Sequence, residues 1–250
     1  DRFAGDLGQW DFARTPSFVA DGAKRDRLIW SGDLDWAGRN VYYAFANTSY
    51  MRDSVSMLAH NQTPEGYVQA CPYPEHTGAL ASGDYGPFPS DEFSAWFVPV
   101  AWDYVLFTGD RVTLEAVYTP AVRSLDYLLG YVEADGLFHQ RAETSKHAEN
   151  LDLGDVGTRS YMNILLWDCL VKGAAMAREL GCEEDAVRFN SRAQALAAAI
   201  NKHLWSDTQR CFDLSLEDDR LGHAAGALAL ATGFVTAEQA RDMVPRLGYI

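Results

Sequence analysis

The chain has 250 residues, 48% of them hydrophobic and 12% aromatic, which is enough for one large domain or two small ones. Its formal net charge of −14 argues against nucleic acid or an anionic membrane surface as the main partner. No apolar run approaches the length of a membrane span, and no Cys/His grouping has zinc-ligand spacing, so we predict no membrane partner, metal or other cofactor.

The first 33 residues show no clear periodicity and are predicted to be an irregular segment that leads into helices. The chain opens on Asp1 without Met, so we interpret it as a processed or excised segment. The triplets "NTS" at Asn47 and "NQT" at Asn61 match the N-glycosylation pattern. They slightly favour a secreted protein over a cytoplasmic one.

Helical periodicity dominates the rest of the chain, 34–250. A helix over 91–107 is apolar nearly all round, as in a helix buried on two sides, with Ser90 as its cap and a stop at Gly109. A second helix is predicted over 111–133, with a kink or a new first turn at Pro120.

Two further helices are predicted over 159–180 and 186–204, with Gly181 as a left-handed cap between them. Their very short link predicts antiparallel neighbours. A shorter final helix pair follows in "GHAAGALALATG" and "TAEQARDMV".

Long connections alternate with these short links, as in the Pro/Gly/Tyr-rich stretch 65–89. Helix pairs joined in this way are typical of an all-α fold, the α/α toroid, in which loops at one end build a site. A simple α-solenoid is the alternative, but no fixed-period repeat is present. About seven helices are counted and a ring of six hairpins needs twelve, so the chain is expected to hold part of the ring and to be incomplete at its C-terminal end.

The stretch "DGAKRDRLIWSGD", 21–33, packs three aspartates, two arginines, a lysine and a tryptophan into thirteen residues. One interpretation is a salt-bridged loop that ties the N-terminal segment to the first helix.

The same stretch resembles the signature of glycoside hydrolase family 78, the α-L-rhamnosidases, which reads Asp-x-x-x-Arg-Asp-Glu-Arg-x-x-Trp-x-Gly-Asp. The helical passages "AWFVPVAWDYVLFTGD" and "SYMNILLWDCLVKGAAMARELG" also look like hairpins of that family. The resemblance implies an (α/α)6 toroid of the six-hairpin glycosidase type and a carbohydrate substrate.

This chain is one residue shorter than the signature between Asp21 and Trp30, and it lacks the Glu. Counting back from Trp30, Asp26 falls on the family's general acid; counting forward from Asp21, Arg27 does. We prefer Asp26, because "DRLIWSGD" then matches without a gap, and a variant "DGIKRDRLVWIGD" is familiar among rhamnosidase-like sequences.

The resemblance also implies roles around the acid. Asp21 and Asp33 are expected to accept hydrogen bonds from sugar hydroxyls, Arg25 to donate to the sugar or hold a carboxylate, and Trp30 to offer a flat wall to the C6 methyl group. For Trp30, simple core packing is an equal alternative. The family's general base lies later in the chain than residue 250 and is expected outside this segment.

Further substrate contacts are predicted at helix starts, from Asp91 and Glu92 with Trp96 following, and from His223. For the two acids the alternative is a helix-start charge or cap. For the histidine the alternative is an exposed or structural role.

The functional prediction is an inverting glycoside hydrolase that removes terminal α-L-rhamnose from a glycoside, oligosaccharide or polysaccharide side chain. Two alternatives stay open. One is a rhamnosyl-uronate lyase on the same fold, which needs a Tyr or His base and cations facing the uronate. The other is a non-catalytic carbohydrate-binding relative, which the missing Glu favours. The sequence makes no prediction of oligomeric state.

Overall fold

The computed structural model describes residues 17–22, 26–45, 47–72, 80–145 and 157–248. These ranges contain eight α-helices and a three-stranded antiparallel sheet of order β1-β2-β3. The helices are α1 (Ser31–Ala44), α2 (Ser49–His60), α3 (Asp91–Thr108), α4 (Arg111–Leu129), α5 (Ser160–Leu180), α6 (Glu183–His203), α7 (His223–Thr232) and α8 (Ala237–Leu247). The strands are β1 (Trp205–Ser206), β2 (Cys211–Ser215) and β3 (Asp218–Leu221).

The predicted helix ends at Ser90, Gly109 and Gly181 are confirmed, and each of these residues caps its helix. The Ser90 hydroxyl accepts a hydrogen bond from the Phe93 amide at the start of α3. Gly109 and Gly181, with φ of 67° and 74°, take the left-handed conformation that ends α3 and α5 and costs glycine little.

Three sequence-based predictions differ from the structure. α1 begins at Ser31, so the predicted boundary after residue 33 falls inside a helix. α4 continues through Pro120 and ends at Leu129. The predicted end at residue 133 is wrong because residues 130–131 form a turn and Val132 pairs with Phe138. The three-stranded sheet within 205–221 was not part of the all-α prediction, since its strands are too short to show an alternating pattern.

The helices form four hairpins, α1–α2, α3–α4, α5–α6 and α7–α8. Within each hairpin the link is short, as at 109–110 and 181–182, whereas the connections between hairpins are long. α1, α3, α5 and α7 pack against one another in order, and α3 and α5 are buried on most sides. These four are therefore the inner helices. This arrangement confirms the predicted α/α toroid, with four hairpins in the described chain.

The long connections gather at the N-terminal ends of the inner helices. The Ser31 amide donates to the Ala70 carbonyl at 3.2 Å, which joins the connection after α2 to the start of α1. Isolated bridges pair Ser90 with Ser145 and Arg159 with Ser215, so the next two connections reach the starts of α3 and α5. The fold thus brings three separate connections to one end of the helix array.

Further sequence-based predictions can be compared with the observed burial of single residues. Cys169 is a fully buried free thiol, as expected. Asn61 is 2% exposed and its amide donates to the Met57 carbonyl, so the triplet there is folded into the core. Among the described residues, no helix is both long and apolar enough to cross a membrane.

Candidate active site

A cavity of about 700 Å³ lies among the inner helices, and each residue that lines it belongs to α1, α3, α5 or α7. Its polar residues are Asp33, Asp35, Arg39, Glu92, Tyr161, Asp168, Lys172 and Thr232. Its apolar residues are Gly32, Trp36, Phe93, Trp96, Ala224, Ala227, Leu228 and Ala231.

The two sides of the cavity differ in character. α7 offers small and aliphatic side chains, whereas α1 and α5 offer carboxylates and cations. α3 supplies the aromatic rings of Phe93 and Trp96, and Trp36 of α1 stands 77% exposed at the rim. A surface that combines aromatic faces with several carboxylates suits a neutral ligand with one apolar face and several hydroxyl groups.

Ion pairs link α1, α3 and α5 beside the cavity. The Lys172 ammonium lies 3.0 Å from an Asp168 oxygen and 3.6 Å from Asp103, and Arg39 lies 3.1 Å from Asp35 and 3.4 Å from Asp103. Burial raises the pKa of Asp35 and of Asp168, while the neighbouring cations act in the opposite direction. These pairs fix the spacing of three inner helices.

The motif enters the cavity through the first turn of α1, where Gly32 and Asp33 line the wall. A Cβ atom on Gly32 would lie 2.9 Å from a ring carbon of Phe93. Glycine therefore allows α1 to approach α3 closely enough for Asp33 and Phe93 to share one wall.

The loop that carries Asp26 is closed by Asp21. The Asp21 carboxylate accepts hydrogen bonds from the amides of Asp26 at 3.3 Å and Leu28 at 3.0 Å, and the Asp21 amide donates to the Leu28 carbonyl. Arg27 has φ of 59°, an unfavourable conformation for a side chain of its size. Asp26 is exposed on this loop, and it is not among the residues that line the cavity.

Trp30 lies behind the cavity wall. It is 4% exposed and its ring contacts Phe88 at 5.1 Å and Phe93 at 5.3 Å between centroids. Together with Leu28 and Cys71 it belongs to a small separate core cluster. Its ring packs against cavity-lining Phe93, and its predicted contact with the C6 methyl group stays a prediction.

Asp91 is fully buried in a polar network away from the residues that line the cavity. Its carboxylate accepts hydrogen bonds from the Tyr127 hydroxyl at 3.1 Å and the Thr144 hydroxyl at 2.6 Å, and Arg141 lies 3.6 Å away. Burial raises its pKa to about 6, against the lowering effect of these partners. This network joins α3 to α4 and to the connection that follows α4.

The remaining predicted residues have different positions. Trp96 lines the cavity beside Asp33. His223 is exposed as the first residue of α7, next to cavity-lining Ala224. Arg25 lies outside the described residues. The assigned roles of all these residues stay predictions.

Glu92 and Tyr161 form a polar pair on the cavity wall. Glu92 is 7% exposed, and burial raises its pKa to about 7, although the Arg159 charge and a hydrogen bond from Tyr161 lower it. Glu92 was a candidate from sequence, but Tyr161 was missed. Its position at the second residue of α5 is equivalent to that of Glu92 in α3, which is a usable signal once both helices are known to be inner helices.

The described part of the chain contains no group of three or more His, Cys, Asp or Glu side chains that could hold a metal ion. The candidate site consists mainly of carboxylates, aromatic rings, small apolar side chains and two cations.

Comparison with known protein families gives one match that spans most of the chain. The model for the bacterial alpha-L-rhamnosidase six-hairpin glycosidase domain matches residues 14–247. No curated protein sequence matches the chain.

Solved structures share the fold at low sequence identity. A Klebsiella oxytoca rhamnosidase with rhamnose bound superposes with a TM-score of 0.75 at 20% identity over 92% of this chain. A family 78 rhamnosidase of Bacillus sp. GL1 gives 0.71 at 17% over 90%. A family 63 mannosylglycerate hydrolase from Thermus thermophilus, in complex with glucose, gives 0.62 at 12% over 98%.

The chain spans only part of these proteins: 43% of the Klebsiella rhamnosidase, 23% of the Bacillus rhamnosidase and 74% of the Thermus hydrolase.

Proposed function

The chain belongs to the bacterial α-L-rhamnosidase six-hairpin glycosidase family. We therefore propose that it is part of the catalytic domain of an inverting α-L-rhamnosidase. The substrate is a glycoside, oligosaccharide or polysaccharide side chain that ends in α-L-rhamnose. Asp26 is the general acid, and the general base lies outside this chain.

The observation that carries the proposal is the junction between the motif and the cavity. Asp33 ends the motif and lines the cavity, and Asp26 precedes it on a loop that Asp21 closes through two amide hydrogen bonds. The motif is thus continuous with a cavity wall that also contains Phe93 and Trp96.

In the proposed reaction the Asp26 carboxyl gives its proton to the glycosidic oxygen as the bond from C1 to that oxygen breaks. A water attacks C1 from the opposite face and the base takes the proton of that water, which inverts the anomeric centre. The acid and base must stand about 6.5–9.5 Å apart to leave room for the water. Asp33 accepts a hydrogen bond from a sugar hydroxyl, and Trp96 offers its ring to the apolar face of the sugar.

The test is hydrolysis of an aryl α-L-rhamnoside by the full-length protein. Wild-type protein is expected to release β-L-rhamnose as the first product, seen by NMR. Asp26→Asn is expected to lose at least a hundredfold in kcat/KM, and exposed Asp219→Asn is the matched control. Full activity of Asp26→Asn removes the assignment of the acid.

Product analysis separates the alternative reactions. A lyase leaves an unsaturated uronate that absorbs in the near ultraviolet, whereas hydrolysis leaves no double bond. Rhamnose binding without turnover would favour the carbohydrate-binding relative, which the missing Glu of the signature keeps as the second candidate.

A further inference from the structure

Glu92 has a position that helix capping does not require. The Ser90 hydroxyl already caps the start of α3, and Asp91 serves the network with Tyr127 and Thr144. Glu92 instead lies on the cavity wall with 7% of its surface exposed. Burying a carboxyl group costs free energy unless partners replace the water around it.

The described partners of Glu92 both belong to the start of α5. The Tyr161 hydroxyl donates to its carboxyl group, and Arg159 attracts it through charge. A carboxylate has about four acceptor positions on its two oxygens. Since the carboxyl also faces the cavity, a ligand there can donate to a position that the Tyr161 hydroxyl does not occupy.

The charges around Glu92 disfavour an anionic ligand. Asp33 and Asp35 line the same cavity from α1, and Asp168 and Lys172 line it from further along α5. Arg159 and Tyr161 stand at the start of α5, and His223 is exposed at the start of α7. The four carboxylates that line the cavity outnumber its two cations, Arg39 and Lys172, so hydroxyl donors of a neutral molecule fit better than carboxylate or phosphate groups.

Phe93 and Trp96 lie one and four positions after Glu92 on the same helix and line the same cavity. Trp96 is one helical turn from Glu92 on the same face of α3, so a ligand stacked on the Trp96 ring has its edge within reach of the carboxyl group. Sugars combine an apolar face with hydroxyl groups at the edge, which matches this pattern.

We propose that Glu92 is a further substrate-binding residue of this cavity, where its carboxylate accepts a hydrogen bond from a hydroxyl group of a neutral sugar. Tyr161 is a positioning residue that holds the carboxylate towards the ligand. The inference rests on the proposed function for the identity of that sugar, rhamnose, but not for the contact itself.

The pH dependence of binding follows from the burial of Glu92. Its pKa is raised to about 7, so the ionised form, which is the stronger hydrogen-bond acceptor, is minor at pH 6 and dominant at pH 8. Affinity for the sugar therefore rises with pH through this range. Tyr161→Phe removes a donor that favours the ionised form, which moves the transition to higher pH.

The experiment uses the full-length protein with L-rhamnose as the probe for calorimetric binding and an aryl α-L-rhamnoside for kinetics, both from pH 5.5 to 8.5. Glu92→Gln is expected to weaken rhamnose binding and raise KM about tenfold at pH 8, and to flatten the pH dependence of KM. The matched control is Glu184→Gln, because Glu184 is the exposed second residue of α6 just as Glu92 is the second residue of α3. Circular dichroism of each variant checks folding.

The outcomes separate this inference from the proposed function. Hydrolysis by wild type with unchanged rhamnose affinity and pH profile in Glu92→Gln overturns the role of Glu92 and leaves the rhamnosidase intact. Rhamnose binding that depends on Glu92 without any hydrolysis overturns the hydrolase and supports the contact. Wild-type protein that neither binds nor cleaves overturns both. An unshifted pH profile in Tyr161→Phe removes the positioning role of Tyr161.

Discussion

The carboxyl groups of Asp91 and Glu92 follow one another at the start of α3 but belong to different parts of the molecule. Asp91 is fully buried and accepts hydrogen bonds from Tyr127 and Thr144, whereas Glu92 faces the cavity and is held by Tyr161. Adjacent residues at a helix start point about 100° apart around the axis, which sends one into the core and the other to the wall. Burial raises both pKa values, to about 6 and about 7.

Glu92→Gln is expected to stabilise the fold at alkaline pH. The folded-state pKa of about 7 exceeds the ordinary value of 4.5, so the contribution of the carboxyl is fully present below pH 4.5 and is lost as pH rises through 7. Gln resembles the protonated form and does not titrate. The difference in unfolding free energy between variant and wild type should therefore grow by roughly 3 kcal/mol between pH 4.5 and 8. Urea unfolding across this range measures it.

Glu184→Gln provides the comparison, since this side chain is exposed at the same helical position of α6. Its unfolding free energy should run parallel to that of wild type at each pH. A constant difference between Glu92→Gln and wild type would show that the carboxyl titrates alike in both states.

Asp91→Asn is expected to combine a pH-dependent gain of the same sign with a loss of hydrogen bonds, because burial also raises the pKa of Asp91, to about 6. The substitution removes the charge that faces Arg141 and one of the acceptor oxygens used by Tyr127 and Thr144. A buried donor left without its acceptor costs about 1–3 kcal/mol, so the variant is expected to be less stable than wild type at pH 4, with the deficit shrinking as pH rises through 6 in urea unfolding. Asp126→Asn, at an exposed residue of the neighbouring helix, should cost less than about 1 kcal/mol.

Part of the architecture could be predicted because α3 and α5 carry their own signals. The all-round apolar pattern of 91–107 indicated burial on two sides, and Ser90, Gly109 and Gly181 marked helix ends by local chemistry that the structure repeats. Family resemblance located the motif in 21–33. The local hydrophobic pattern and the identity of residues close together in the chain were sufficient to predict these features.

The cavity wall could not be predicted in the same way, because it depends on which residues of four separate helices face one another. Asp168 and Lys172 resemble a surface pair at i,i+4 in the sequence. In the structure both are largely buried and line the cavity, and Lys172 also pairs with Asp103. The same limit applies to Trp30, whose position behind Phe93 is set by the packing of α1 on α3.

Gly66 is expected to resist substitution, because it has φ of 108° and a Cβ atom there would lie 2.2 Å from the Arg123 carbonyl oxygen. Gly66→Ala combines backbone strain with a clash against α4, so a loss of about 3 kcal/mol or more is expected. Gly83→Ala is the matched control, with φ of 75° and no atom within 4 Å. Strain alone should cost it about 1 kcal/mol. Equal losses in thermal unfolding would show that the contact with α4 is not formed.

Asp21 variants distinguish two roles for the start of the motif. The structure shows its carboxylate accepting the amides of Asp26 and Leu28, which fixes the loop of the proposed acid, whereas the resemblance implies a contact with the sugar. If the loop role dominates, Asp21→Ala should lower kcat on an aryl α-L-rhamnoside by about a hundredfold, because displacement of an acid by about 1 Å has that effect.

KM in this variant should stay within about threefold of wild type. Asp21→Asn keeps one carbonyl acceptor for the two amides and should give an intermediate kcat. A large rise in KM with unchanged kcat in both variants would instead assign Asp21 to sugar binding, because a uniform loss of binding leaves the chemical step untouched.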